Sequence, residues 1–144
     1  MSSGTEYPER PRVAVGVVVV HEGRVLLVER AKPPSAAQWA VPGGSVELGE
    51  TLAQAAEREV LEETGVVVRA GRVVHVFDGI TRDEAGRIRF HYVVVDVEAE
   101  YLSGQVRAAD DAGAAGWFDR HEVEALRLSE ITRLVLRDIV GFLA

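Results

Sequence analysis

Apolar and polar positions along this chain change period several times, and the changes divide it into elements. Arg12 to Val20 (RVAVGVVVV) is β-branched and almost wholly apolar, the pattern of a buried strand. HEG (21–23) supplies a turn, and RVLLVER (24–30) predicts the hairpin partner. AKPPSAAQ (31–38) holds two prolines and a serine and predicts a loop; WAVPGG (39–44) predicts a short strand running into a turn.

The period then becomes helical. Thr51 stands three residues before Gln54, a capping-box spacing, and Leu52, Ala53, Ala55, Ala56, Val60 and Leu61 follow. Gly65 is a C-terminal stop, so a helix is expected over roughly 52–64. Val66 to Ile80 reads as strand broken at Ala70–Gly71, RDEAGR (82–87) as a turn, and Ile88 to Tyr101 as a long strand. SGQVRAADDAG (103–113) is a polar loop before a short strand at Ala114 to Phe118. Asp119 with Glu122 forms a second capping box, opening a short helix to about Leu126. Ser129 caps a last helix carrying Ile131, Leu134, Val135, Ile139, Phe142 and Leu143 at helical spacing. A β-rich middle between helices predicts a mixed sheet between helical layers in one domain, residues 12–144, after a frayed tail at 1–11.

Composition narrows the function. The chain has 144 residues and no cysteine, which removes disulfides, thiolate metal sites and cysteine nucleophiles. The longest apolar run, Val13 to Val20, is too short to span a bilayer, so no membrane partner and a cytoplasmic protein are expected. A net charge of −7 gives no general attraction for a nucleic acid polymer. An anionic ligand would need a cation or local arginines.

One stretch resists a bland explanation. GGSVELGETLAQAAEREVLEETG (43–65) holds six glutamates, with Arg58 its only basic residue. Like charges three or four apart on a helix repel. Glu59, Glu62 and Glu63 should point into one volume, continuing the seam of Leu52, Ala55 and Ala56. A solvated acid-rich helix is one reading. The other is a carboxylate cluster neutralised by a hard cation, Mg²⁺ or Mn²⁺, with Arg58 paired to Glu62. The Gly43–Gly44 pair would let a backbone carbonyl approach the same ion, and Glu47 or Glu50 would add ligands or orient Arg58.

The stretch 44–66 resembles the Nudix box. That family's pattern is Gly, five residues, Glu, seven residues, then Arg-Glu-aliphatic-x-Glu-Glu-x-Gly-aliphatic. It is met here by Gly44, Glu50, Arg58, Glu59, Val60, Glu62, Glu63, Gly65 and Val66. The resemblance implies an α/β/α sandwich with a mixed central β-sheet (α+β) and a Mg²⁺-dependent pyrophosphohydrolase, with Mn²⁺ as a substitute. The substrate would be a small nucleotide of the ADP-ribose or nucleoside triphosphate class, as in MutT-like or ADP-ribose pyrophosphatase-like relatives. By motif position, Glu59, Glu63 and Glu62 would ligate metal together with the Gly43 carbonyl, Arg58 would orient the glutamates, and Glu50 would be structural. Asp111, with Asp110 as the alternative, sits where some relatives carry a general base or ligand. A homodimer agrees with family precedent.

Candidate substrate contacts are Arg30, Arg24 and Arg89, among arginines that also include Arg82 and Arg87. Trp39, Phe77, Phe90 and Tyr92 are the aromatic candidates, and Phe77 joins the predicted substrate set. The four histidines show no metal-ligand spacing and read as turn or strand residues. A non-catalytic nucleotide-sensing module is the competing function, and a purely stabilising acidic helix the third.

Overall fold

The computed structural model describes residues 6–31, 37–107 and 112–143. Its elements are β1 (Arg12–His21), β2 (Arg24–Arg30), β3 (Trp39–Ala40), β4 (Gly43–Ser45), α1 (Leu52–Thr64), β5 (Val67–Arg82), β6 (Ile88–Ser103), β7 (Ala112–Asp119), α2 (Arg120–Glu124) and α3 (Glu130–Leu134).

β1 organises the molecule. It pairs in parallel with β6 and antiparallel with β4 and β2, so the sheet is mixed, as expected, with the path β3-β2-β1-β6-β5. The predicted hairpin exists for only two rungs, Val20↔Val25 and His21↔Arg24. Beyond them β2 turns away to pair with β3 and β7. The all-apolar β1 explains the divergence, because both its faces must be covered. Val15, Val17 and Val19 pack with Ala55, Ala56 and Val60 of α1. Val18 packs on the opposite side with Val123 of α2 and with Val135, Leu136 and Leu143 near the C-terminus. Val15, Val17, Val18 and Val19 of β1 thus serve the core, while Val13 and Val20 near its ends are exposed.

Local signals placed α1 and α2 well. Thr51 and Gln54 close the first capping box, Asp119 and Glu122 the second, and Gly65 ends α1 at φ 77°. Two expectations are corrected. β5 runs through Ala70–Gly71 without a break, and the irregularity is a register shift between Ala70 and Val73. Gly71 suits it, since an added Cβ would lie 3.2 Å from the Glu98 carbonyl. The last helix is also shorter than its apolar spacing implied. α3 widens into a π-helical turn at Val135–Ile139, where the Val140 N–H donates to the Val135 carbonyl at 2.9 Å. The wider turn buries Val135 and Leu136 together but leaves Leu134 and Ile139 partly exposed.

Within the expected tail, Tyr7 is tied to the β5–β6 turn. Its hydroxyl donates to Asp83 at 2.9 Å, its N–H to the Arg89 carbonyl at 2.7 Å, and Arg87 lies over its ring. No helix among the described residues is long and apolar enough to cross a membrane.

Candidate active site

α1 presses its acidic end against β4, and glycine makes the contact possible. A Cβ on Gly44 would fall 2.5–2.6 Å from the Glu59 carboxylate, and one on Gly43 would collide with the Val15 carbonyl. Both glycines lie in strand β4, so close packing, not a tight turn, requires them.

Arg58 is the hub. Its Nε donates to Glu50 Oε2 at 2.6 Å and its Nη2 to Glu50 Oε1 at 2.9 Å, a bidentate clasp. Nη2 also reaches the Ser45 carbonyl at 3.0 Å, tying α1 to β4. Nη1 donates to Glu59 at 2.8 Å and to Glu62 at 3.2 Å. Glu50 is therefore the main partner and the expected Glu62 pair a weaker one. Glu50 is held below the usual carboxylate range, chiefly by the Arg58 hydrogen bond, and Arg58 is pushed further up.

Glu63 is 1% exposed and is held from two sides. Arg30 Nη1 donates to its Oε2 at 3.0 Å, and the Gly43 N–H donates to its Oε1 at 2.9 Å. Burial pushes the Glu63 carboxyl up, while Arg30 and the Gly43 N–H oppose the shift. Arg30 also donates to the Val41 carbonyl at 3.0 Å. The predicted substrate arginine thus lies at the acidic site, clasping an acid.

The three acids do not share one environment. Glu59 and Glu63, one turn apart, face β4 and are buried; Glu62 lies round the helix and its side chain is 46% exposed. Among the described residues no group of three or more acids or histidines closes around a point that could hold a metal. The two buried carboxylates still suit a hard divalent cation. They are all-oxygen donors, and Gly44 gives the Glu59 carboxylate the space that a side chain would fill.

The other predicted residues scatter. Arg24 is exposed at the far end of β2 from Arg30, about 20 Å along the strand. Arg89 pairs with Glu6 at 2.8 Å. Phe77 is half-buried on β5 with the His75 ring 5.8 Å away. Trp39, Trp117 and Phe90 pack against or within core clusters. Asp110 and Asp111 lie outside the described residues. Sequence reasoning passed over Asp96, which is 3% exposed and whose Oδ2 lies in hydrogen-bond contact with His75 Nδ1 at 3.1 Å. Its signal was available: it is the lone charge in YVVVDV (92–97).

The NUDIX domain family model matches residues 10–139. An ADP-ribose pyrophosphatase of Methanocaldococcus jannaschii is 34% identical over 116 residues, which cover 81% of this chain and 66% of that protein. This chain thus spans slightly under two thirds of that relative. The phosphatase NudJ of Escherichia coli K12 is 31% identical over 79% of this chain and 72% of its own. Among solved structures, a MutT NUDIX hydrolase from Burkholderia pseudomallei superposes with a TM-score of 0.75 at 33% identity, covering 90% of this chain and 98% of that one.

Proposed function

This chain belongs to the Nudix family, and from that premise we propose that it hydrolyses the pyrophosphate bond of a nucleoside diphosphate linked to another group, with Mg²⁺ as cofactor. The observation that carries the reading is the pair of buried glutamates, Glu59 and Glu63, each held by an arginine at the β4 edge. Burying two like charges 4 residues apart is costly and contributes nothing to folding that an apolar pair would not. A binding role for a cation explains their retention.

Glu59 and Glu63, with Glu62 from the solvent side, would hold the metal. When bound, Mg²⁺ would neutralise phosphate oxygens and lower the pKa of a coordinated water. The chain's own work is positioning. Arg58, locked by Glu50 and the Ser45 carbonyl, fixes the Glu59 carboxylate. Arg30 and the Gly43 N–H fix Glu63. Arg30, only partly exposed, brings positive charge to the place where a diphosphate would lie. ADP-ribose is the substrate that one relative's name gives, and nucleoside triphosphates are the other class that the motif resemblance implies.

A nucleotide panel containing both classes, assayed with Mg²⁺ and with chelator, tests this. Wild type should release product only with metal, and Glu63→Gln should lose most of that rate. Equal rates in the two proteins would overturn the metal assignment.

A further inference from the structure

The register of four strands places Gly43 (β4), Gly16 (β1), Asp96 (β6) and His75 (β5) in one row across the sheet. Directly paired residues share a face, and neighbouring strands lie about 4.8 Å apart. The row starts at Gly43, whose N–H holds Glu63, and its first two positions carry no side chain. Asp96 leans back into the space so left. A Cβ on Gly16 would collide with Asp96 Oδ1 and lie 3.3 Å from Val41 Cγ2. Val41 is in turn the residue whose carbonyl Arg30 holds. A buried carboxylate thus stands beside the acidic site, with His75 as its one described hydrogen-bond partner.

Further along, the same face carries polar groups among apolar ones. The next row is Ser45–Ala14–Val94–Phe77, and beyond it Arg12 pairs with Tyr92. Ser45 Oγ, Tyr92 Oη and Arg12 Nε are buried without a partner among the described residues, and the Ser45 and Tyr92 side chains are more than nine-tenths buried. Native interiors leave few such groups unsatisfied. Ala14, Phe90 and Tyr92 pack together on this face, and its three orphaned polar atoms and buried acid are the groups that a polar ligand would pair.

We propose that Asp96, oriented by His75, binds the ribose hydroxyls of the nucleotide whose diphosphate is held at Glu59 and Glu63, with the half-buried Phe77 beside the attached base. This rests on the pyrophosphohydrolase reading above. The chemistry favours a ribose because a carboxylate accepts from hydroxyl donors. The separation favours it as well: Asp96 stands two strand spacings from Gly43, about 9.6 Å between backbones. Its side chain leans back over Gly16, which shortens the gap to one that a ribose 5′-phosphate bridges. Phe77, two residues along β5 from His75, then meets the next part of the ligand.

The test uses the ribonucleotide that wild type turns over best, together with its 2′-deoxy and 3′-deoxy forms. Asp96→Asn should raise KM for the ribonucleotide tenfold or more, with kcat changed less than threefold. On the deoxy form that lacks the bound hydroxyl, the substitution should add nothing. Gly16→Ala, which displaces an intact Asp96, and His75→Gln should show the same dependence on the hydroxyl, and they carry the test if Asp96→Asn fails to fold. An equal penalty on ribo and both deoxy substrates overturns the inference while leaving the hydrolase reading intact. Absence of turnover of any nucleotide by wild type overturns that reading, and this inference with it.

Discussion

Arg30 and Glu63, thirty-three residues apart in sequence, meet at 3.0 Å where β2 passes the end of α1. The pair links the two halves of the sheet to the helix, and it sets the charge balance of the site. Removing one partner leaves a buried charge with only the Gly43 N–H. Arg30→Ala is expected to cost about 2–4 kcal/mol in urea unfolding, the lower part of the range reflecting the partial exposure of Arg30. The double variant Arg30→Met with Glu63→Leu should recover most of that stability and none of the activity. A single variant as stable as wild type would remove the pair from the account of the fold.

Glu50 reaches the site through Arg58. Its two hydrogen bonds to Arg58 keep the guanidinium turned toward Glu59, and it also accepts from the Glu47 N–H at 2.8 Å. Glu50→Ala should therefore destabilise by about 1–3 kcal/mol and weaken divalent-metal affinity by about 10–100-fold, both read by calorimetry. An unchanged metal affinity would show that Arg58 keeps its place without the clasp.

Gly44 is required by contact and not by backbone angle. The Cβ of Gly44→Ala would lie within 2.6 Å of the Glu59 carboxylate. The expected cost is about 1–3 kcal/mol, with a loss of turnover larger than the loss of stability explains. Wild-type kcat in the alanine variant would show that Glu59 can move aside without consequence.

Asp96 gives a pH signature. Burial raises its carboxyl above the unperturbed value of 3.8, with His75 opposing. The folded chain therefore keeps a proton that the unfolded chain has lost. The stability tied to that proton is complete below 3.8 and is lost as pH rises through the higher folded value. Asn at 96 does not titrate. Wild type should thus lose melting temperature relative to Asp96→Asn as pH climbs through this window. Parallel melting curves would show that the buried carboxyl is not perturbed.

What was legible in the sequence was local. The Thr51–Gln54 and Asp119–Glu122 boxes and the Gly65 stop act within one turn, so spacing alone located α1 and α2. The acidic motif was equally local. Groups that meet across the fold were not. Arg30 was seen as a phosphate contact because nothing in RVLLVER announces Glu63. His75 and Asp96 stand 21 residues apart, and only the β5–β6 register joins them. The continuity of β5 past Gly71 was hidden for a related reason: the bulge is stabilised by the neighbouring strand, and glycine alone reads as a break. Glu62 was grouped with Glu59 and Glu63 by helical angle, but β4 covers only the side that the other two occupy.

Binding of Mn²⁺, followed by its paramagnetic resonance signal in wild type, Glu59→Gln and Glu63→Gln, reads most directly whether the two buried glutamates are metal ligands. Each substitution should weaken binding at least tenfold while the protein stays folded by circular dichroism. Equal affinity in all three proteins would contradict the metal role and return the acidic helix to a structural one.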